Sequence, residues 1–313
     1  MSDDISRIDY KDFETGRCFD PEIIHISGIV YAVVYSGPDS HGCVITTRIY
    51  TSGLIWPVLD KVEFDPERCS YPDILHVSGE VFAIAYEGPD GHGFIKTITV
   101  RGDGQIDELP LDSFEFETDA ASNCRFTHVS GEMYAIAFRG PGDCGVIKTI
   151  TIHDDGQIEH TVIDSLEFDA RCFLPDMVHI SGEAYALAYQ GSGDHGFIKT
   201  ATVHNDGQIE NSAIDSFEFE GEAVADCRLI HISGEVYAVA FRGTNDDGFI
   251  KTLTIHDDGQ IEHAVIDTLE FDMIRCFSPR MAHIAQRTYA LAYRGQDHGL
   301  IKTSDARTRV LHT

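Results

Sequence analysis

His231-Ile-Ser-Gly-Glu-Val-Tyr-Ala-Val-Ala-Phe-Arg-Gly243 is the stretch whose reading decides the fold. Within Val236-Tyr-Ala-Val-Ala-Phe241 both parities of a strand are apolar, so both faces of its sheet are buried. One face carries Tyr237, Val239 and Phe241, and the other Val236, Ala238 and Ala240. A bulky face beside a shallow one suits a sheet stacked on copies of itself. The copies are present. The phrase returns at His25, His76, His128 and His179, and a worn sixth copy starts at His283-Ile-Ala-Gln286. Successive histidines lie 51 or 52 residues apart, which is the signature of a repeat architecture.

Working outward through the fifth unit, Arg228 to Ser233 predicts a strand and Ser233-Gly234 a tight turn. Glu235 to Arg242 predicts a second strand, and Gly243-Thr-Asn-Asp-Asp-Gly248 a loop. Phe249 to His256 and Gln260 to Phe271 predict two more strands around an Asp257-Asp-Gly259 hairpin turn. No segment sustains a helical period. Four strands per unit make an antiparallel meander, and six such units predict an all-β fold, a six-bladed β-propeller of four-stranded blades. The unit is too long for a β-helix coil and lacks a leucine-rich motif. Ile8-Asp-Tyr-Lys-Asp-Phe-Glu14 matches the fourth-strand phrase Ile266-Asp-Thr-Leu-Glu-Phe-Asp272, whereas Ser304 to Thr313 does not. Residues 5–14 are therefore expected to complete the last blade and close the ring, which removes exposed sheet edges. Residues 1–313 then form a single propeller domain.

The His-x-Ser-Gly, Tyr-Ala-x-Ala-Tyr/Phe and Gly-Phe-Ile-Lys-Thr phrases resemble propeller-type repeats of archaeal and bacterial surface proteins. They differ from WD40 repeats, which close on Trp-Asp, and from kelch repeats, which carry a Gly-Gly pair. The resemblance implies recognition or adhesion in an exported setting.

With 52 acidic against 23 basic residues, the formal charge is −29. Such a surface repels phosphate backbones and anionic membranes, so nucleic acid is not an expected partner. No apolar run approaches the ~20 residues of a membrane span, and Met1-Ser-Asp-Asp-Ile-Ser-Arg7 lacks the basic start of a signal peptide. As written the chain is expected to be cytoplasmic, with an exported or surface-associated setting as the alternative. Of eight cysteines, Cys18, Cys69, Cys124, Cys172, Cys227 and Cys276 fall once per repeat ahead of the histidine, and Cys43 and Cys144 lie in a different loop. Equivalent positions a blade apart are too far to bridge, so free thiols are expected, and without a Cys-x-x-Cys pair a zinc ribbon has no support.

Four repeated features are candidates for chemistry. The histidine row (His25, His76, His128, His179, His231 and His283) reads as a hydrogen-bonding element of each blade rather than a ring of ligands. The loop between the second and third strands carries Asp39, His41, Asp90, His92, Asp143, Asp194, His195, Asp246, Asp247, Asp297 and His298. These residue types bind metals, but a tight loop selects Asp and Gly as well. The blade-to-blade crossovers share that face and bring Arg17, Arg68 and Arg171 to it. These loop and crossover residues are the expected ligand-binding set. The Asp-Gly turns lack the carboxylate spacing of a calcium loop; no cofactor is expected, with calcium or another divalent ion as a weak alternative. Lys96, Lys148, Lys199, Lys251 and Lys302 are expected to pair with Glu115, Glu167, Glu218 and Glu270.

Catalysis needs different residues in different roles, so a repeat must break symmetry at an active site. The departures visible here are Thr46 in place of lysine, Trp56-Pro57 and Ala285-Gln286-Arg287. No catalytic residue is singled out. The expected function is a non-catalytic recognition, adhesion or scaffold module, binding a glycan or protein ligand at several near-equivalent sites with avidity gains of ~10²–10⁴. The alternatives are a hydrolase or lyase with its site at the channel mouth, and a structural interaction disc.

Overall fold

A computed structural model describes residues 11–285, 288–295 and 299–305 of the chain. The described residues form five four-stranded antiparallel sheets and one three-stranded sheet, each a meander in sequence order. The all-β reading and the blade-like repeat hold.

Contacts divide the chain into two compact units. One comprises residues 7–170 and 203–211. Its first sheet is β1 (Phe19–Ser27), β2 (Val30–Ser36), β3 (Gly42–Arg48) and β4 (Asp60–Asp65). Its second is β5 (Ser70–Ser78), β6 (Val81–Glu87), β7 (Gly93–Thr99) and β8 (Asp112–Glu117). Its third is β9 (Ser122–Ser130), β10 (Met133–Arg139), β11 (Gly145–Thr151) and β12 (Asp164–Asp169). The other unit comprises residues 1–6, 171–202 and 212–313. Its first sheet is β13 (Phe173–Ser181), β14 (Ala184–Gln190), β15 (Gly196–Thr202) and β16 (Asp215–Glu220). Next comes β17 (Ala225–Ser233), β18 (Val236–Arg242), β19 (Gly248–Ile255) and β20 (Ile261–Asp272). The last sheet is β21 (Phe277–Ala285), β22 (Thr288–Arg294) and β23 (Gly299–Asp305).

Bulky faces fill shallow ones as the alternation predicted. Tyr134, Ile136 and Phe138 of β10 pack against Ala83 and Ala85 of β6. Tyr237, Val239 and Phe241 of β18 pack against Ala186 and Ala188 of β14. Apolar burial at ~25 cal/mol per Å² makes these faces the main stabilising contacts. None of the eight cysteines forms a disulfide, and seven are buried. They are not equivalent, however: Cys124 and Cys227 stand four residues before the histidine, whereas Cys18, Cys69, Cys172 and Cys276 stand seven before it.

Of the expected closing strand, residues 5–10 lie outside the described residues, and Lys11 to Glu14 carry no strand. Phe13 nonetheless packs on Tyr35 at 5.2 Å between ring centroids. No helix of the described residues is long and apolar enough to cross a membrane.

Candidate functional site

Each first-strand histidine serves its own turn. The ring Nε2 of His25, His76, His128, His179 and His231 lies 2.7–3.0 Å from the carbonyl of the glycine three residues on. The ring also packs on the aromatic residue opposite, as His128 does on Tyr134 at 5.2 Å. Among the described residues no group of three His, Cys, Asp or Glu side chains is placed to hold a metal ion.

The loops between second and third strands are tight 3-10 turns with a residue at positive φ, as at Asp39 (63°) and Asp90 (57°). The crossovers do meet them: Cys69 N–H donates to the Ser40 carbonyl at 2.7 Å, and Val224 N–H to that of Asp194 at 2.8 Å. The candidate side chains there stand in local pairs. His41, His92 and His195 reach Glu63, Glu115 and Glu218 of the fourth strand at 3.0, 2.5 and 2.8 Å. Arg171 donates to Asp194 at 2.7 Å, Arg139 to Asp143 at 2.8 Å and Arg242 to Asp246 at 2.7 Å. Arg68 pairs with Glu87 at 2.5 Å rather than with Asp90. Arg17 is exposed, Asp247 ends its 3-10 turn with its N–H on the Thr244 carbonyl, and Asp297 and His298 lie outside the described residues.

The lysine expectation is corrected. Lys96, Lys148, Lys251 and Lys302 reach across to the preceding repeat, to Asp65, Glu117, Glu220 and Asp272 at 2.9–3.1 Å. Of the glutamates assigned to them, Glu115 and Glu218 instead hold the loop histidines His92 and His195. Burial would raise the Asp65 carboxyl, but hydrogen bonds from Lys96 and Tyr86 hold it below its ordinary value. The first repeat shows why Thr46 does not replace lysine. Strand pairing sets Ile45 at the post of Lys96, since Val33 pairs with Ile45 as Ile84 pairs with Lys96. The amino group comes instead from Lys61, the cross-strand partner of Ile45 on β4. It reaches Glu14 at 2.6 Å. Thr46 keeps the ordinary threonine role and donates to the Gly104 carbonyl at 2.5 Å.

One row was missed. Three residues before each histidine the repeats read Glu22, Asp73, Arg125, Asp176, Arg228 and Arg280, both charge signs at one repeated post. Each post follows a β-bulge whose residue has positive φ: Asp20, Tyr71, Asn123, Leu174, Asp226 and Ser278, at 48–57°. For Tyr71 and Leu174 that conformation is strained, and strain of this kind clusters at functional sites. Bulges commonly re-aim a side chain. In the unit of residues 7–170, Arg125 Nη2 stands 3.7 Å from Glu22 Oε1, with side chains 13% and 23% exposed. Asp73 Oδ2 accepts the Phe126 N–H at 2.8 Å. In the other unit, Asp176 Oδ2 accepts the Leu229 N–H at 2.8 Å and Arg228 is buried. Alignment on the histidine exposes this row; alignment on the cysteine hides it, because Cys124 and Cys227 are offset.

No family model matches the chain, and no curated protein does. Solved structures do. A periplasmic gluconolactonase of Pseudomonas aeruginosa aligns with TM-score 0.58 at 14% identity, over 88% of this chain and 81% of its own. A putative 6-phosphogluconolactonase of Bacteroides fragilis aligns with TM-score 0.60 at 12% identity, over 90% and 82%. A protein of unknown function from Dyadobacter fermentans aligns with TM-score 0.63 at 10% identity, over 96% and 97%. At such identities the likeness carries the repeat-built fold; the surface-protein setting stays an expectation. The expectation of a non-catalytic recognition, adhesion or scaffold module is corrected by these likenesses. Two of the similar folds are named as lactonases.

Proposed function

We propose that the protein is a hydrolase of the lactonase type, with Glu22 and Arg125 as its working pair. The mixed-charge row carries this reading. It is the repeated post where the chain breaks its own symmetry with half-buried carboxylate and guanidinium groups, and it sits on strained, re-aimed backbone. The fold shared with two proteins named as lactonases supports it.

Lactone hydrolysis needs a base for water and a donor for the oxygen that becomes negative. Glu22 takes a proton from water as the water oxygen bonds to the ring carbonyl carbon. Arg125 donates to the resulting oxyanion. When the ring C–O bond breaks, the proton on Glu22 passes to the leaving alkoxide, and the product is the open hydroxy acid. Asp73, engaged by the Phe126 N–H, holds β5 against β9 beside the pair. The test is a pH-stat assay on aldonic δ- and γ-lactones. Turnover above spontaneous hydrolysis is expected, with a fall of ~10²-fold or more for Glu22→Gln and Arg125→Ala and little change for His92→Ala. Background rates for the native protein, or full activity in Glu22→Gln, would refute the assignment.

We also infer that residues 1–313 form one six-bladed propeller in which residues 5–14 supply the outer strand absent from the sheet β21–β23. Phe13 and Glu14 meet Tyr35 and Lys61 in the way that Phe64 and Asp65 meet Tyr86 and Lys96, and this likeness supports the reading.

A further inference from the structure

Successive repeats are clasped at a post built the same way four times. The strand-three threonines Thr46, Thr97, Thr149 and Thr200 are fully buried or nearly so. Their hydroxyls donate to the carbonyls of Gly104, Gly156, Gly207 and Gly259, in the hairpin turn of the next repeat, at 2.5–2.7 Å. The second oxygens of Asp60, Asp112, Asp164 and Asp215 accept the N–H of Ile106, Ile158, Ile209 and Ile261 in the same turns at 2.8–2.9 Å. Leu59, Leu111, Ile163 and Ile214 lie directly beneath the turn glycine, where an added Cβ would fall 2.5–2.9 Å from their methyl groups. A histidine of the next repeat then covers an aromatic ring on the fourth strand, His160 on Phe114 and His263 on Phe217, both at 5.3 Å.

Among the described residues, the fifth repeat carries the same post without the clasp. Thr252 is half-buried where its four counterparts are closed off. Ile266 is 53% exposed and Leu269 47% exposed. Asp267 is exposed; its Oδ1 accepts the Thr268 N–H at 2.9 Å, and among the described residues no donor meets its Oδ2. The sixth repeat would supply the turn, but it continues Ser304-Asp-Ala-Arg-Thr-Arg-Val-Leu-His-Thr313, without a glycine. The turn glycines have φ of 86–100°, a conformation that carries strain for any residue with a Cβ. In the register of the other repeats Val310 would take that place.

The geometry points to a docking site on the fifth sheet, formed by Thr252, Ile266, Asp267 and Leu269, for a separate polypeptide that presents a glycine turn followed by a branched aliphatic residue. The site continues a series of interfaces already made four times within the chain, and those interfaces define the occupant. It offers a carbonyl to Thr252, an N–H to Asp267, a bare glycine over Ile266 and a ring or aliphatic group over Leu269. Association would bury apolar surface now in water and give the carboxylate oxygen its donor.

The probe is a cyclised, fluorescein-labelled peptide with the sequence of residues 202–212, titrated with the full chain and read by fluorescence anisotropy. Saturable binding is expected, weakened at least tenfold by Ile266→Asp in the protein and by Gly207→Val in the peptide. Leu109→Asp, at an exposed position outside the clasp posts, should leave it unchanged, and circular dichroism melting checks that each variant folds. Absence of saturation, or undiminished binding to Ile266→Asp, would overturn the proposal. So would binding that appears only after removal of residues 306–313, which would make the chain's own tail the occupant. Concentration-dependent self-association abolished by Ile266→Asp would assign the site to a second copy and overturn it as well.

Discussion

Moving the Lys61 amino group back to strand three tests whether the contact between repeats is defined by where a charge arrives or by which strand carries it. In Lys61→Ser, Glu14, whose side chain is 8% exposed in the native protein, loses its 2.6 Å partner. Hydrogen bonds to charged groups contribute about 1.5–3 kcal/mol. Lys61 is 44% exposed, so solvent screening reduces that figure, and a loss of ~1–2 kcal/mol is expected. Ile45→Lys on its own sets two cations beside one acid and removes a buried aliphatic group, so it should also destabilise. The double variant Ile45→Lys/Lys61→Ser reproduces the arrangement of the second repeat, where Lys96 pairs with Ser113 across the strands and reaches Asp65. It should recover most of the loss, giving a coupling of ~1 kcal/mol or more in a double-mutant cycle. The assay is urea unfolding followed by circular dichroism. A pH series adds an independent check. Hydrogen bonds from Lys61 and the Gly16 N–H hold Glu14 at about 2, below its ordinary 4.5. A depressed carboxyl contributes its stability fully above the unfolded value and loses it as pH falls through the folded one. The gap between the native protein and Lys61→Ser should therefore be full at neutral pH and close between about 4.5 and 2. A double variant no more stable than Lys61→Ser, or a gap unchanged by acid, would refute the equivalence of the two posts.

Thr97→Val should cost about 1–3 kcal/mol, because the buried Gly156 carbonyl loses its donor, whereas Thr252→Val should fall within ~0.5 kcal/mol; equal losses would contradict the unclasped fifth repeat. His153 donates to Glu159 and Glu132, which raise it to about 9 from its ordinary 6.5. Its contribution to stability should be complete below about 6.5 and fade as pH rises through about 9; an imidazole NMR titration centred near 6.5 would show the pairing to be absent. Burial raises the thiols of Cys69, Cys124 and Cys227 and suppresses their reactivity. A thiol reagent should find them only after unfolding, while protection of all eight after unfolding without reductant would mean disulfides.

The sequence by itself determined the blade. A strand with tyrosines and valines on one parity and alanines on the other, returning every 51 or 52 residues, has one economical packing, bulky face into shallow face. It also located the tight Asp/Gly loops and the free thiols, because turn chemistry and cysteine spacing are local properties. Partners across sheets were not legible in it. Lys96 meets Asp65, a residue 31 positions back, rather than the nearer-looking Glu115, because the stacking of sheets and not chain order sets that distance. The Ile45–Lys61 exchange is invisible without strand register, since an amino group can reach one carboxylate from either of two paired strands. The Glu22–Arg125 pair depended on tertiary structure in the same way: each follows a residue at positive φ in its first strand, and residues 103 positions apart in the chain come within 3.7 Å only when the sheets stack.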